Sequence, residues 1–107
     1  MALMATNDKS DANSVLSGAE QIIDQFLDAI WAERGLSKNT LGAYRADLMS
    51  LARWLSDRSV AVENAAKADL LGFIEWRVEE GAKPRSTARQ LSSFRRFYRY
   101  LANENLR

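Results

Sequence analysis

The stretch from residue 84 to residue 103 constrains the fold more than any other part of the chain. It opens with Pro84, the single proline, and contains no glycine. At 100° per residue its large apolar side chains fall within an arc of about 120°; they are Leu91, Phe94, Phe97, Tyr98 and Leu101. No arginine lies in that arc. The pattern predicts an amphipathic helix, with Ser86 as a candidate N-cap, that buries one face and exposes a basic one.

Three earlier segments show the same helical periodicity: 18–34, 38–57 and 67–80. Gly35 and Gly81 follow the first and the third segment, where a C-cap glycine is expected. The predicted core stripes are Ile23, Phe26, Leu27 and Ile30, then Leu41, Tyr44, Leu48, Leu51 and Leu55, then Leu70, Leu71, Ile74 and Val78. Phe73 and Trp76 lie off the third stripe, either at the edge of the core or in a partner contact.

Four amphipathic helices can enclose one small core, so we expect an all-α, compact bundle of four to five helices over residues 18–107. Residues 1–17 carry few large apolar side chains, and we expect them to form a disordered tail.

The composition excludes several classes of chemistry. The chain contains 0 Cys and 0 His, which rules out a disulfide framework, a thiolate or imidazole metal site and histidine-based catalysis. No glycine-rich phosphate loop or activated nucleophile stands out, so we expect no cofactor, no metal and no catalysis by this chain. Without a long apolar run or a secretory signal, we expect a cytoplasmic protein with no membrane contact.

The net charge of +1 conceals an uneven distribution. Residues 1–33 carry one basic and six acidic side chains, whereas residues 83–107 carry seven basic side chains and one acidic. The basic residues of the fourth helix are arginines, whose planar fork suits phosphates and guanine edges. No acid lies one helical turn from them to neutralise the face.

Three interpretations of this basic face remain open: a solvated surface without a ligand, a nucleic-acid surface, or a surface that docks an acidic protein partner. Helix N-termini attract anions through their free N–H groups and dipole. Two predicted N-termini are rich in basic and polar residues: Lys38, Asn39 and Thr40 in the second helix, and Arg85, Ser86, Thr87 and Arg89 in the fourth. Two such ends in one small domain favour a two-point grip on DNA.

The outer face of the second helix, which Ser37 or Asn39 can cap, is formed by small residues, among them Gly42, Ala43 and Ala46. A glycine inside a helix costs about 1 kcal/mol relative to alanine. Either the position is neutral on an exposed face, or a backbone or phosphate approaches closely there.

Two segments carry a family resemblance: FLDAIWAERGLSKNTLGAYRADL (26–48) and STARQLSSFRRFYRYL (86–101). They resemble the N-terminal domain of tyrosine site-specific recombinases, of the Xer type and of its XerD rather than XerC branch. The match covers about 18–107. A phage or integron integrase relative is the alternative within the same family.

The resemblance implies a SAM-like bundle, the core-binding domain, which clamps a DNA half-site together with a C-terminal catalytic domain. Its second and fourth helices approach the major groove. The DNA contacts that it implies are Lys38, Asn39, Thr40, Ala43 and Arg45, and Arg85, Ser86, Thr87, Arg89, Gln90, Ser93 and Arg96. Of these, Arg89 and Gln90 are expected to read base edges.

The resemblance also implies partners and a process. The catalytic arginines, lysine, histidines and tyrosine lie in the C-terminal domain, so none of the three tyrosines here is the nucleophile. The implied partners are double-stranded DNA, the protein's own catalytic domain and XerC-like subunits in a tetramer on DNA, the isolated domain being monomeric. The implied process is the resolution of chromosome dimers at dif-like sites during chromosome segregation, with the acidic first helix facing away from DNA.

Overall fold

A computed structural model describes the backbone of residues 2–104 and the side chains of residues 16–32 and 35–104. The helices are α1 (Ala2–Arg34), α2 (Lys38–Ser56), α3 (Lys67–Glu79) and α4 (Pro84–Asn103), with a short 3-10 turn at Val62–Asn64. The described residues form no strand. The predicted all-α bundle is therefore confirmed. In the described part of the chain, no helix is both long enough and apolar enough to cross a bilayer.

The helix ends follow the local sequence. The Ser37 hydroxyl accepts a hydrogen bond from the Thr40 amide at 3.2 Å, which confirms one of the two predicted caps of α2. Gly35 has a φ of +60° directly after α1, and Gly81 has a φ of +93° directly after Glu80, the C-cap of α3. The predicted cap Ser86 is wrong: Lys83 is the N-cap of α4 without a side-chain bond, and Pro84 begins the helix. Proline is suited to that position because its φ is preset and its missing N–H has no partner there.

Four phenylalanines form the centre of the core: Phe26, Phe73, Phe94 and Phe97. Phe26 of α1 meets Phe97 of α4 edge to face, with ring centroids 5.4 Å apart. Phe73 of α3 meets Phe94 of α4 in the same way at 5.7 Å. Helix α4 thus packs against both α1 and α3, and its apolar arc is buried as the periodicity predicts.

The predicted stripe of α3 is partly wrong. Phe73 is fully buried, whereas Leu71 and Val78 are 54% and 56% exposed. Apolar residues surround much of this helix, so periodicity alone does not fix its rotation. The aromatic ring of Phe73 fills the space between Trp54 and α4, with centroids 5.8 Å apart for the Trp54 pair. That packing turns the two aliphatic side chains outward.

Helix α2 also buries Met49, which lies outside the predicted core stripe of this helix, on the side of Gly42. Met49 is 6% exposed. Arg45, one helical turn earlier, contacts Asp24 of α1, so α1 packs along this edge of α2.

Helix α1 begins at Ala2, before the predicted start near residue 18. No proline interrupts residues 2–34, so helix propensity permits the longer segment. Among the side chains that the structure describes, Leu16 and Ala19 are the first of α1 to contact the core. The side chains of residues 1–15 lie outside the described ones, and the disordered tail over 1–17 stays a prediction.

Candidate nucleic-acid interface

The solvent face of α4 carries a row of arginines. Arg85, Arg95 and Arg99 are exposed, and at 100° per residue they lie within an arc of about 80°, together with Ala88 and Ser92. We call these three residues the exposed arginine row. Within the part of the chain that the structure describes, none of the three forms an ion pair. Their charge is therefore available to an anionic ligand.

Two members of this row, Arg95 and Arg99, are missing from the contacts that the family resemblance implied. The signal that finds them is their spacing: residues 85, 88, 92, 95 and 99 follow one another at intervals of three or four. That spacing marks the centre of the helix face opposite the core.

Arg89 connects α4 to α2. Its Nε and Nη2 atoms donate to the two carboxylate oxygens of Asp47 at 3.0 and 2.8 Å. The Asp47 side chain is 3% exposed and that of Arg89 is 49% exposed. The hydrogen bond and the charge of Asp47 raise the pKa of Arg89 above its usual value, so the guanidinium stays charged. Sequence reasoning missed Asp47, since the pair spans 42 positions of the chain.

The Ser93 hydroxyl completes this arrangement. It lies 3.2 Å from the Asp47 carboxylate and 3.1 Å from the Arg89 carbonyl oxygen. Asp47 thus accepts hydrogen bonds from two residues of α4, as a buried carboxylate requires.

Arg45 is held by α1. Its guanidinium donates to Asp24 at 3.1 Å and to Glu20 at 3.0 Å. The hydrogen bond and charge of Asp24, followed by those of Glu20, raise the pKa of Arg45 despite some desolvation. Two acids of α1 therefore offset the positive charge of this predicted contact.

The other predicted contacts fall into two groups. Lys38, Asn39 and Arg85 are exposed in the first turns of their helices, while Thr40, Ala43 and Ser86 are partly exposed. Arg96 is also partly exposed and lies over the Tyr44 ring, with its Cζ atom 5.8 Å from the centroid.

Three predicted contacts lie in the interior: Thr87, Gln90 and Ser93 are 8%, 3% and 0% exposed. The Thr87 hydroxyl donates to the Pro84 carbonyl oxygen at 3.1 Å. The Gln90 Oε1 atom is buried without a hydrogen-bond partner. As placed, these three side chains do not reach the exposed arginine row. At 100° per residue, Thr87 and Gln90 lie inside the apolar arc of α4, each within about 20° of a core side chain, whereas Ser93 lies about 40° outside it.

The structure therefore exposes positive charge on two helices. The exposed arginine row of α4 and the exposed N-terminal turn of α2, with Lys38 and Asn39, present cations and N–H groups. Among the described residues, no group of three or more potential metal-ligating side chains exists. The surface can bind an extended anion, and we find no catalytic arrangement in it.

Comparison with known proteins identifies relatives of the chain. The family described as phage integrase, N-terminal SAM-like domain, matches residues 23–105. Tyrosine recombinase XerD of Pseudomonas putida is 51% identical over 85 residues, which are 79% of this chain and 28% of that protein. The XerD of Proteus mirabilis is 50% identical over 86 residues, 80% of this chain and 28% of the relative.

A more distant relative extends the match along the chain. The XerD of Vibrio cholerae is 38% identical over 95 residues, 89% of this chain and 32% of that protein. The chain spans about a third or less of the length of these relatives. No solved structure matches it.

Proposed function

The chain belongs to the phage integrase N-terminal SAM-like domain family, and from that premise we propose that it is the DNA-binding clamp domain of a tyrosine recombinase. The observation that carries the proposal is the exposed arginine row of α4, whose three charges have no acidic partner among the described residues. Duplex DNA is the ligand that fits a straight row of cations on a helix face, since its backbone repeats a negative charge at regular intervals.

The contacts divide by chemistry. Arg85, Arg95 and Arg99 bind phosphates, which position the domain without reading sequence. Lys38 and Asn39 bring the N-terminal turn of α2 to a second phosphate, where free backbone N–H groups and the helix dipole favour an anion. Arg89, which is half exposed where α4 meets α2 at Asp47, reaches the groove.

The function of the full-length protein is inferred from its relatives. Their XerD members are tyrosine recombinases, and we propose the same reaction for the parent of this chain. In that reaction a tyrosine outside this chain cleaves one strand through a 3′-phosphotyrosine, and strands exchange in a tetramer that includes XerC-like subunits. The site is a dif-like sequence, the process is chromosome dimer resolution, and the compartment is the cytoplasm. This domain supplies binding and requires no cofactor.

The direct test is a mobility-shift titration of the chain against a duplex with a dif-type half-site and a scrambled duplex of equal length and composition. We expect weak binding with a modest preference for the half-site. The logarithm of the affinity falls linearly with the logarithm of the salt concentration, because phosphate contacts release counterions. If the folded chain bound neither duplex at low salt, DNA binding would be refuted, and an acidic protein partner would become the better explanation.

A further inference from the structure

Arg89 differs from every arginine of the exposed row because its orientation is set by another residue. A guanidinium has five N–H donors. Two of them, on Nε and Nη2, are bound to Asp47 at 3.0 and 2.8 Å. Three remain, two on Nη1 and one on Nη2, and they include the whole Nη1/Nη2 edge.

The buried carboxylate decides which way that free edge faces. Asp47 is 3% exposed and the Arg89 side chain is 49% exposed. Since the Nε/Nη2 edge is held by the buried carboxylate and about half of the Arg89 side chain is exposed, the adjoining Nη1/Nη2 edge is the one left for solvent. The Ser93 hydroxyl, 3.2 Å from the same carboxylate, restricts the rotation of Asp47.

This free edge has a defined recognition chemistry. Two parallel N–H groups of an arginine fit O6 and N7 of guanine in the major groove, or two oxygens of one phosphate. A flexible arginine loses side-chain entropy when it forms such a pair, whereas one already fixed by a carboxylate loses less.

We propose that Asp47 is a positioning residue for sequence-specific DNA binding: it holds Arg89 so that the Nη1/Nη2 edge of the guanidinium is presented to a guanine. The inference rests on the proposed function and deepens it. It assigns the specificity of the domain to a buried acid that does not itself touch DNA.

The sign of the charge effect makes the proposal testable. Replacing Asp47 by Asn removes a negative charge close to the basic face, so electrostatics alone predicts tighter binding to every duplex. Positioning predicts the opposite for the specific duplex, because Arg89 loses its fixed orientation. A purely structural role predicts weaker binding to both duplexes in parallel with a loss of folded protein.

The experiment measures the affinity of the chain for the dif-type half-site duplex and for the scrambled duplex by fluorescence anisotropy. Asp47→Asn is compared with Asp57→Asn, which makes the same charge change at the exposed C-terminal end of α2. Circular dichroism melts show the folded fraction of each variant at the assay temperature.

For Asp47→Asn we expect the preference for the half-site to fall about tenfold. If the unsubstituted chain prefers the half-site by less than tenfold, we expect the variant to show no preference. Binding to the scrambled duplex stays the same or tightens. Asp57→Asn leaves the preference unchanged. An Asp47→Asn chain that is folded and keeps its preference overturns the inference while leaving the proposed function intact. An unsubstituted chain that binds neither duplex overturns both.

A second variant covers the case in which Asp47→Asn does not fold. Arg89→Lys keeps the charge and loses the planar fork. We expect it to lose the preference for the half-site while the salt dependence of binding stays the same, since the number of phosphate contacts is unchanged. If Arg89→Lys retained the preference for the half-site, a fixed guanidinium edge would not be needed for specificity, and the inference would be refuted.

Discussion

Gly42 offers a test in which stability and DNA binding change in opposite directions. The residue is exposed in the second turn of α2, and a Cβ atom built on it meets nothing within 4 Å. Alanine there gains the full difference in helix propensity, about 1 kcal/mol. For a domain of this size, that gain raises the melting temperature by about 4–8 °C.

The methyl group that alanine adds at this position changes DNA affinity only if DNA approaches the α2 backbone there. Gly42 lies on the outer face of α2, one helical turn beyond Lys38. A methyl group that displaces one phosphate removes a charged hydrogen bond worth about 1.5 kcal/mol or more, which is about tenfold in affinity. We therefore expect Gly42→Ala to be more stable and to bind DNA more weakly.

Gly72→Ala is the matched control within α3. There the added Cβ atom comes 3.1 Å from Cη2 of the Trp54 ring, so strain offsets the gain in helix propensity. We expect little change in melting temperature and no change in DNA affinity. Thermal melts followed by circular dichroism and anisotropy titrations with the half-site duplex measure both quantities for both variants.

Two results would refute the reasoning separately. Unchanged DNA affinity in a stabilised Gly42→Ala chain would mean that this glycine is neutral on a solvated face. Equal stabilisation by Gly42→Ala and Gly72→Ala would mean that the contact with Trp54 exerts no strain.

Three further substitutions test other features. Ser59 has φ of +58° after α2, so Ser59→Gly should raise the free energy of unfolding by about 1 kcal/mol in urea denaturation, and no gain would contradict a strained backbone. Burial, and then the charge of Glu104, raise the pKa of Tyr100 above 10.0, so its stabilisation is present below that pH and is lost as the pH rises through the folded pKa. Tyr100→Phe should flatten the loss of stability above about pH 10, and superimposable pH curves would contradict this. Arg85→Ala should weaken half-site binding far more than Arg53→Ala, which removes an equal charge from α2; equal losses would leave bulk charge as the only determinant.

Local sequence was sufficient to predict the helices and their ends where the chemistry is local. Ser37 and Gly35 act within a few residues of their own position, so a single turn of sequence contains the whole interaction. The apolar arc of α4 is similarly unambiguous, since its arginines and its phenylalanines fall on opposite sides. The buried face of α3 was harder to predict, because its apolar residues occupy more than one face. Only the packing of Phe73 against Trp54 decides which face is buried.

The candidate site shows the same division. The exposed positions of Arg85, Lys38 and Asn39 follow from helix ends and periodicity, and the structure places them on the surface as those patterns indicate. Whether they contact DNA stays a prediction. The burial of Gln90 follows from its position inside the apolar arc of α4, whereas that of Ser93, outside the arc, depends on how closely α2 approaches α4.

The sequence by itself determined that this chain is a helical bundle without histidine or cysteine chemistry, with five of its arginines on one face of its last helix. Only the tertiary structure decided which arginines are paired with acids. Arg89 and Arg45 are paired with acids that lie 42 and 21 positions away in the chain. Those pairs arise from the way α4 and α1 pack on α2. Helical periodicity states which face a residue occupies, but it does not state which helix that face will meet.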